Sequence, residues 1–258
     1  MRMPITLLSA WIGLVLVGAS ASAEPIKIRL GEPLPRYGKL EPGTRTYLRY
    51  KVSKDGVPEI SDIQTKEVRF EGQGSGRRVR IVQRWDGPNG SLRLDSLVEA
   101  RTLRPITHQR DLHKGAAVRR EGFRFLPDRV VGIADQPDNI RKNFYIAAPV
   151  PTFNFEIDLE TLTTLPLRKG AEFEITFYHP GGGPPAPYIF KVAGEEQLYL
   201  AGQPVDCWVV TTDYNTPGTT PSRFWVAKGS QVVVRVHNPL PGGGASIKAL
   251  LPSSANGS

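Results

Sequence analysis

Residues 171–178, Ala-Glu-Phe-Glu-Ile-Thr-Phe-Tyr, decide the fold of this chain. Apolar side chains occupy every second position, at Phe173, Ile175 and Phe177, and polar side chains stand between them. Successive side chains of a β-strand point to opposite faces, so this alternation is typical of a strand with one buried face. The stretch therefore predicts a strand of an antiparallel sheet whose other face is wet or lines a cavity.

The same two-residue period recurs along most of the chain. The 26 glycines and 23 prolines supply many turns between the runs, the clearest being Asp-Gly-Pro-Asn-Gly at 86–90. A loop is predicted at 51–62. Further strands are predicted at 45–52, 68–70, 79–85, 91–106, 116–125, 128–133, 188–192, 197–200, 205–214, 223–228, 231–237 and 247–251.

One helix is predicted within residues 143–165. Phe155, Leu159 and Leu162 share one helical face, Pro166 ends the helix, and Thr152 or Asn154 could cap its start. The fold class is therefore mostly β: an antiparallel sheet with one short helix packed on it.

The first 23 residues have the features of a cleaved export signal. Arg2 precedes an apolar run at 5–17, and Ala21-Ser22-Ala23 fits the small-x-small cleavage pattern. The run is shorter than the roughly 20 residues of a spanning helix, and no later segment approaches that length. Cys207, the single cysteine, is too distant to carry a lipid anchor. We expect an untethered periplasmic protein that begins at Glu24.

The remaining chain is expected to form one domain. Residues 24–44 are Pro-rich and predicted irregular, 45–251 form a single antiparallel β domain, and 252–258 form a disordered tail. A hydrophobic content of 40% is sufficient for a core and argues against general disorder.

The formal net charge of +8 favours anionic partners, such as lipid head groups. Lysines and arginines are scattered along the predicted strands, so a solvated basic surface is an equal interpretation. Nucleic acid is excluded as a partner because the compartment is wrong and no binding signature is present.

Several segments of the chain resemble a known family. They are 102–105 (TLRP), 202–210 (GQPVDCWVV), Asp213-Tyr214, 223–228 (RFWVAK) and 231–235 (QVVVR). Their layout resembles a domain-of-unknown-function family of exported bacterial proteins, itself similar to LolA/LolB-type lipoprotein carriers. The resemblance spans about 77–235 and implies a curved antiparallel sheet, an unclosed barrel covered by helix, with no established catalytic residues.

Aromatic side chains on the predicted strands are the candidate ligand site. They are either core or, if the sheet is curved and incompletely covered, the lining of an apolar groove for an acyl chain with an anionic head. Arg223 and Arg235, on adjacent predicted strands, are the candidate basic rim. The groove candidates are Trp85, Phe173, Phe177, Trp208, Tyr214, Phe224 and Trp225.

A catalytic site is not predicted. Cys207 could act as a nucleophile with His179 or His237 as its base. However, Cys207 shares an apolar strand face with its neighbours, opposite Trp208, and such a face is typical of the core. His108 and His113 are five residues apart, which places them on opposite faces of a strand and argues against a metal site. No catalytic residue, metal or cofactor is therefore predicted.

Three functions stay open. The first is a non-enzymatic protein of the periplasm that binds a lipid or lipoprotein-like ligand in the groove. The second is a structural or protein-binding module that uses sheet edges or the Pro-rich loop 184–187. The third is an enzyme with an unrecognised site, for which Asp95 with Glu99, or Asp206 with His237, are the first candidates.

Overall fold

The computed structural model describes residues 24–252, in which strands join into one sheet around a short helix. The α-helix is α1 (Asp158–Thr163), and 3₁₀ turns lie at Tyr37–Lys39, Gly74–Gly76 and Phe155–Ile157. The strands are β1 (Ile26–Ile28), β2 (Gly43–Val52), β3 (Pro58–Glu71), β4 (Arg78–Gly87), β5 (Gly90–Glu99), β6 (Pro105–Lys114), β7 (Ala117–Phe125), β8 (Arg129–Gly132), β9 (Tyr145–Ala147), β10 (Phe153–Asn154), β11 (Glu172–Tyr178), β12 (Ala186–Leu200), β13 (Gln203–Thr212), β14 (Ser222–Ala227), β15 (Val233–Pro239) and β16 (Ala245–Leu250).

The strands follow the order β1-β11-β12-β13-β14-β15-β16-β2-β3-β4-β5-β6-β7-β8-β9, with β10 added beside β11. Neighbouring strands are antiparallel except for β1 and β10, which both pair with β11 in parallel. Within residues 24–252 the two ends of this order, β1 and β9, do not pair with each other. The prediction of a mostly β, unclosed antiparallel sheet is confirmed.

The sheet is curved, because strands from distant places in the order share one core. Val79 and Val98, from β4 and β5, belong to the same buried cluster as Phe173 and Phe190, from β11 and β12. Only a sheet that bends back on itself brings these strands within contact distance of one core.

The two-residue period correctly identifies the buried strand faces. In β11, Phe173, Ile175 and Phe177 are almost fully buried, and the residues between them are partly exposed. The predicted loop at 51–62 is shorter than expected, because β2 continues to Val52 and β3 begins at Pro58. Ser53 Oγ closes the hairpin by accepting hydrogen bonds from the backbone N–H groups of Asp55 and Val57, both at 3.2 Å.

The predicted helix is confirmed as α1, but it fills only part of the expected segment. Residues 145–154 contribute β9 and β10 first, and Asn154 then caps the 3₁₀ turn by accepting from the Glu156 N–H at 3.1 Å. Leu159 and Leu162 point into the core, as their spacing predicts.

The predicted irregular segment 24–44 is only partly irregular, because it includes the 3₁₀ turn at Tyr37–Lys39 and the first residues of β2. It contains β1, whose Ile26 pairs with Phe173, so this end of the segment extends the sheet. The predicted signal peptide at 1–23 and the tail after Pro252 lie outside the described residues. Within residues 24–252, no helix is long and apolar enough to cross a membrane.

Candidate functional site

The predicted groove on the concave face of the sheet is filled by the protein itself. Leu159, Leu162 and Leu165 pack into it from the α1 segment, and Leu34 and Leu40 pack into it from the N-terminal segment. Phe173, Phe177 and Phe224 are consequently at most 1% exposed and belong to the core. The expectation of an open apolar groove over these three rings is therefore corrected.

The other four aromatic candidates lie in different places. Trp208 and Tyr214 are partly buried and pack against the edge of the same core. Trp225 faces the opposite side of the sheet, in a smaller cluster with Cys207. Trp85 lines a cavity together with Tyr214 and Phe224. The seven predicted residues therefore do not form one surface.

The predicted basic rim lies on the convex face of the sheet. The guanidinium groups of Arg223 and Arg235 stand 4.9 and 5.4 Å from the centre of the Trp225 ring. Arg223 also pairs with Glu196. Because Phe224 points inward between Arg223 and Trp225, these arginines face away from the concave side, and the expectation that they border a groove there is corrected.

Cys207 has the surroundings of a structural thiol. It is fully buried, and burial together with the charges of Asp206 and Glu196 raises the pKa of the thiol to about 11. It lies opposite Trp208 on β13, as the alternation predicts. A thiol with this pKa is not ionised near neutral pH, so it lacks the nucleophilic thiolate.

The candidate acids are each held by a different partner. Asp95 pairs with Arg80 at 2.8 Å and Arg93 at 2.9 Å, whereas Glu99 pairs with Arg104. Asp206 lies beside the end of β14 near Ala227, and His237 pairs with Arg223 at its other end. The register places Asp206 opposite Lys228, five residues from Arg223, so at about 3.3 Å per residue Asp206 and His237 are roughly 17 Å apart along the strand.

A cleft of about 500 Å³ lies where the sheet fails to close. One wall comes from the segments that follow β1 and precede β10, and the other comes from the ends of β4 to β7. We call it the seam cleft. It is lined by Leu30, Gly31, Arg78, Glu99, Arg104, Pro105, Ile106, Phe125, Leu126, Pro127, Ala148, Pro151 and Thr152.

The seam cleft combines an apolar lining with a basic border. Arg104 is held by Glu99, which also accepts a hydrogen bond from the Thr102 hydroxyl at 3.0 Å. The exposed Arg78 forms no ion pair with any residue of 24–252. Arg77 and Arg101 line an adjoining depression on the other side of Glu99, so this end of the sheet carries four arginines.

In the sequence the arginines are scattered along the strands, but the fold brings these four together at one end of the sheet. Arg78 opens β4 and pairs across the sheet with Glu99, at the end of β5. The β4–β5 hairpin therefore brings the arginines before β4 together with those after β5. The hairpin turn at 86–90 was the sequence signal that could have shown it.

A second cavity, of about 190 Å³, lies between the concave face and the α1 segment. We call it the charged cavity, because three basic and two acidic side chains line it. Its lining is Arg49, Lys66, Gln83, Trp85, Phe155, Glu156, Asp158, Leu159, Tyr214, Phe224, Val236, Asn238, Ser246 and Lys248.

Most charges in the charged cavity have partners. Lys66 Nζ and Glu160 Oε2 are 2.9 Å apart and both side chains are buried, while Arg49 lies 3.2 Å from Asp62 and stacks on Trp85. Among the residues that the structure describes, Lys248 has no carboxylate within 4 Å, and its amine lies 6.0 Å from the ring centres of both Tyr47 and Trp85. Burial and repulsion by Lys66 lower the pKa of Lys248 to about 8.

The pKa values of the two acids that line the charged cavity are raised, whereas the pKa of Lys248 is lowered. Burial raises the pKa of Asp158, and the nearby Lys248 and Lys66 only partly oppose that rise. Burial likewise raises the pKa of Glu156, against the attraction of Arg110 at 3.8 Å. The cavity is therefore a place where charge is poorly solvated and where an added polar molecule would interact strongly.

Comparisons with known proteins identify a family without a known activity. The sequence profile of DUF3108, described as a protein of unknown function, matches residues 49–251. Among curated proteins, none matches this sequence. A solved structure of the hypothetical lipoprotein YmcC from Escherichia coli (K12) is 15% identical and covers 86% of this chain and 90% of that chain, with a TM-score of 0.31. At that TM-score the likeness bears on neither fold nor function, and similarity to LolA/LolB-type carriers stays a prediction.

Proposed function

This chain belongs to the DUF3108 family, whose function is unknown, and we propose that it is a non-enzymatic periplasmic protein that binds an amphipathic, anionic ligand in the seam cleft. The observation that carries the proposal is the seam cleft itself, where the sheet does not close. Its walls are apolar, and at its border Arg78 forms no ion pair with any described residue. The volume of the cleft falls within the roughly 300–1,000 Å³ of ligand pockets.

The walls of the seam cleft suit an acyl chain. Ile106, Phe125 and Leu126 are partly exposed on one side, and Leu30 and Pro151 stand on the other. Removing apolar surface from water contributes roughly 25 cal/mol for each Å² buried, so a chain of several methylene groups gains binding energy here. The core rings that fill the concave face offer no comparable surface.

The border of the seam cleft suits an anionic head group. Arg78 is exposed and forms no ion pair within residues 24–252, so its guanidinium is available to a carboxylate or phosphate. Arg104 and Arg101 add positive potential, although Glu99 neutralises part of it. The expected ligand therefore has one anionic end and one apolar chain.

Binding of decanoate tests this proposal, with displacement of a fluorescent fatty acid as the readout. Leu126→Asp places a carboxylate against the acyl chain and should weaken binding at least roughly tenfold. Its control is Leu112→Asp, because Leu112 is 44% exposed and lies outside the cleft. Arg78→Gln should weaken binding roughly tenfold, whereas Arg69→Gln, at an exposed arginine of β3, should not.

Two results would refute the proposal. One is the absence of saturable decanoate binding together with the absence of any lipid in native mass spectra of protein purified from its envelope. The other is an equal loss of affinity in the cleft variants and in their controls, since this would mean that binding does not occur in the cleft.

A specific observation also favours the second candidate function, a protein-binding module. Tyr145 on β9 and Val150, three residues after it, are more than half exposed, and β9 is one of the two end strands in the order of the sheet. An unpaired edge can add a strand from another protein. Crosslinking in the envelope should then yield a partner that Tyr145→Asp loses, and equal recovery with both proteins would count against it.

A further inference from the structure

The charged cavity contains polar groups that the fold leaves without partners. No carboxylate oxygen of residues 24–252 lies within 4 Å of Lys248 Nζ, and this amine forms no hydrogen bond there. Trp85 Nε1 and Asn238 Oδ1 are buried and likewise lack partners. From the described residues, Asp158 accepts one hydrogen bond, which the backbone N–H of the adjacent Leu159 donates at 2.8 Å. Buried polar atoms are nearly always satisfied, so Trp85 Nε1 and Asn238 Oδ1 indicate a polar occupant, and the partly exposed Lys248 and Asp158 beside them offer it charged contacts.

The charges that remain unpaired specify what that occupant carries. Lys66 is neutralised by Glu160, Arg49 by Asp62, and Glu156 lies 3.8 Å from Arg110. Within residues 24–252 this leaves one cation, Lys248, and one anion, Asp158, which attract each other without forming an ion pair. A simple anion would contact Lys248 favourably but would be repelled by Asp158, and a simple cation would be attracted to Asp158 but repelled by Lys248, whereas a molecule with both charges can contact each residue favourably.

The rest of the cavity lining sets the size and polarity of the occupant. Apolar side chains cover the part of the cavity away from the charges, namely Phe155, Leu159, Phe224 and Val236. A cavity of about 150 Å³ holds a molecule the size of benzene. The volume of about 190 Å³ here therefore accommodates a molecule of roughly six to ten non-hydrogen atoms.

We propose that the charged cavity binds a small zwitterion of the α-amino acid class, with its carboxylate at Lys248 and Trp85 and its ammonium group at Asp158 and Asn238. The apolar side chains then contact the side chain of the amino acid. This site is separate from the seam cleft, and it stands or fails independently of the function proposed there.

Ligand-observed NMR with the twenty L-amino acids, added in pools to the full chain, tests the proposal. At least one amino acid should bind saturably. The best binder is then compared with two analogues of the same skeleton, the carboxylic acid without the amine and the amine without the carboxylate. Each analogue should bind at least roughly tenfold more weakly, because one charged hydrogen-bonding group is lost.

Three variants assign the roles of the residues. Lys248→Met and Trp85→Phe should weaken amino acid binding at least roughly tenfold, and the second keeps the ring on which Arg49 stacks. Asp158→Asn keeps an acceptor for Leu159 but should abolish the preference for the zwitterion over the amine-free acid. Lys51→Met, at an exposed position on β2, is the matched control and should bind normally.

Two outcomes would overturn the proposal. The first is that no amino acid binds saturably to folded protein at millimolar concentration, which would mean that the cavity holds water only. The second is that the amine-free acid binds as tightly as the amino acid, which would mean that the cavity takes monoanions. Arg78→Gln should leave amino acid binding unchanged, so the two proposed sites are tested separately.

Discussion

Replacing Lys248 with methionine should make the protein more stable. Within residues 24–252 Lys248 has no ion-pair partner in the charged cavity, and its pKa falls from 10.5 to about 8. Each unit of pKa is worth about 1.4 kcal/mol, so this partly exposed charge costs at most roughly 3 kcal/mol near neutral pH. Methionine has a similar length and no charge, so Lys248→Met should raise the free energy of unfolding by roughly 2–3 kcal/mol at pH 7.

The pH dependence gives this prediction a second test. The pKa of Lys248 is lower in the folded protein than in the unfolded chain. Between about pH 8 and 10.5 the unfolded chain therefore binds more protons at this residue, and the stability contribution of Lys248 rises with pH. The advantage of Lys248→Met should accordingly be largest below pH 8 and should shrink towards zero near pH 10.5.

Urea unfolding of both proteins at pH 7 and pH 10, without added ligand, measures these differences. Lys51→Met is the control, since Lys51 is exposed, and it should change stability by less than roughly 0.5 kcal/mol. If Lys248→Met is no more stable than the original protein at pH 7, or if the difference between them does not depend on pH, then Lys248 does not destabilise the fold through its charge.

Three other perturbations have defined outcomes. Glu160→Gln leaves Lys66 buried without its partner and should lower the free energy of unfolding by roughly 3 kcal/mol in urea, whereas Lys66→Met combined with Glu160→Leu should recover most of it. Asn154→Ala removes the cap on Glu156 together with the buried hydrogen bonds from Asn154 to Ser96 and His108, so it should lower the melting temperature at a cost of at least roughly 1–2 kcal/mol. Cys207 should resist iodoacetamide at pH 8 in folded protein and react after unfolding, as followed by mass spectrometry.

Each of these results can fail in a specific way. If Glu160→Gln unfolds at the same urea concentration as the original protein, the ion pair between Lys66 and Glu160 does not stabilise the fold. If Asn154→Ala melts at the original temperature, the turn before α1 does not depend on its cap. Stoichiometric labelling of Cys207 within minutes would mean that the thiol is accessible or ionised.

Most of the sheet could be predicted because burial on one face produces a visible two-residue period. Phe173, Ile175 and Phe177 show it directly. The strands β1, β9 and β10 are two or three residues long, which is too short for a period to appear. They are defined by pairing with distant segments, which a local pattern does not reveal.

The candidate sites were harder to predict because apolar character does not distinguish a core from a groove. The period of β11 is the same whether Phe173 and Phe177 contact a ligand or Leu162 of the same chain. The charged cavity left a signal of a different kind. Lys66 falls in step with the buried Val68, so a lysine occupies a position that the alternation assigns to the inside.

Methyl NMR during a decanoate titration shows whether a ligand binds in the seam cleft. Saturable shifts are expected in the methyl groups of Leu30, Ile106 and Leu126, with the methyl groups of Leu162 and Ile175 unchanged. Shifts confined to the concave core, or no saturable shift at any cleft methyl group, would contradict binding in the seam cleft.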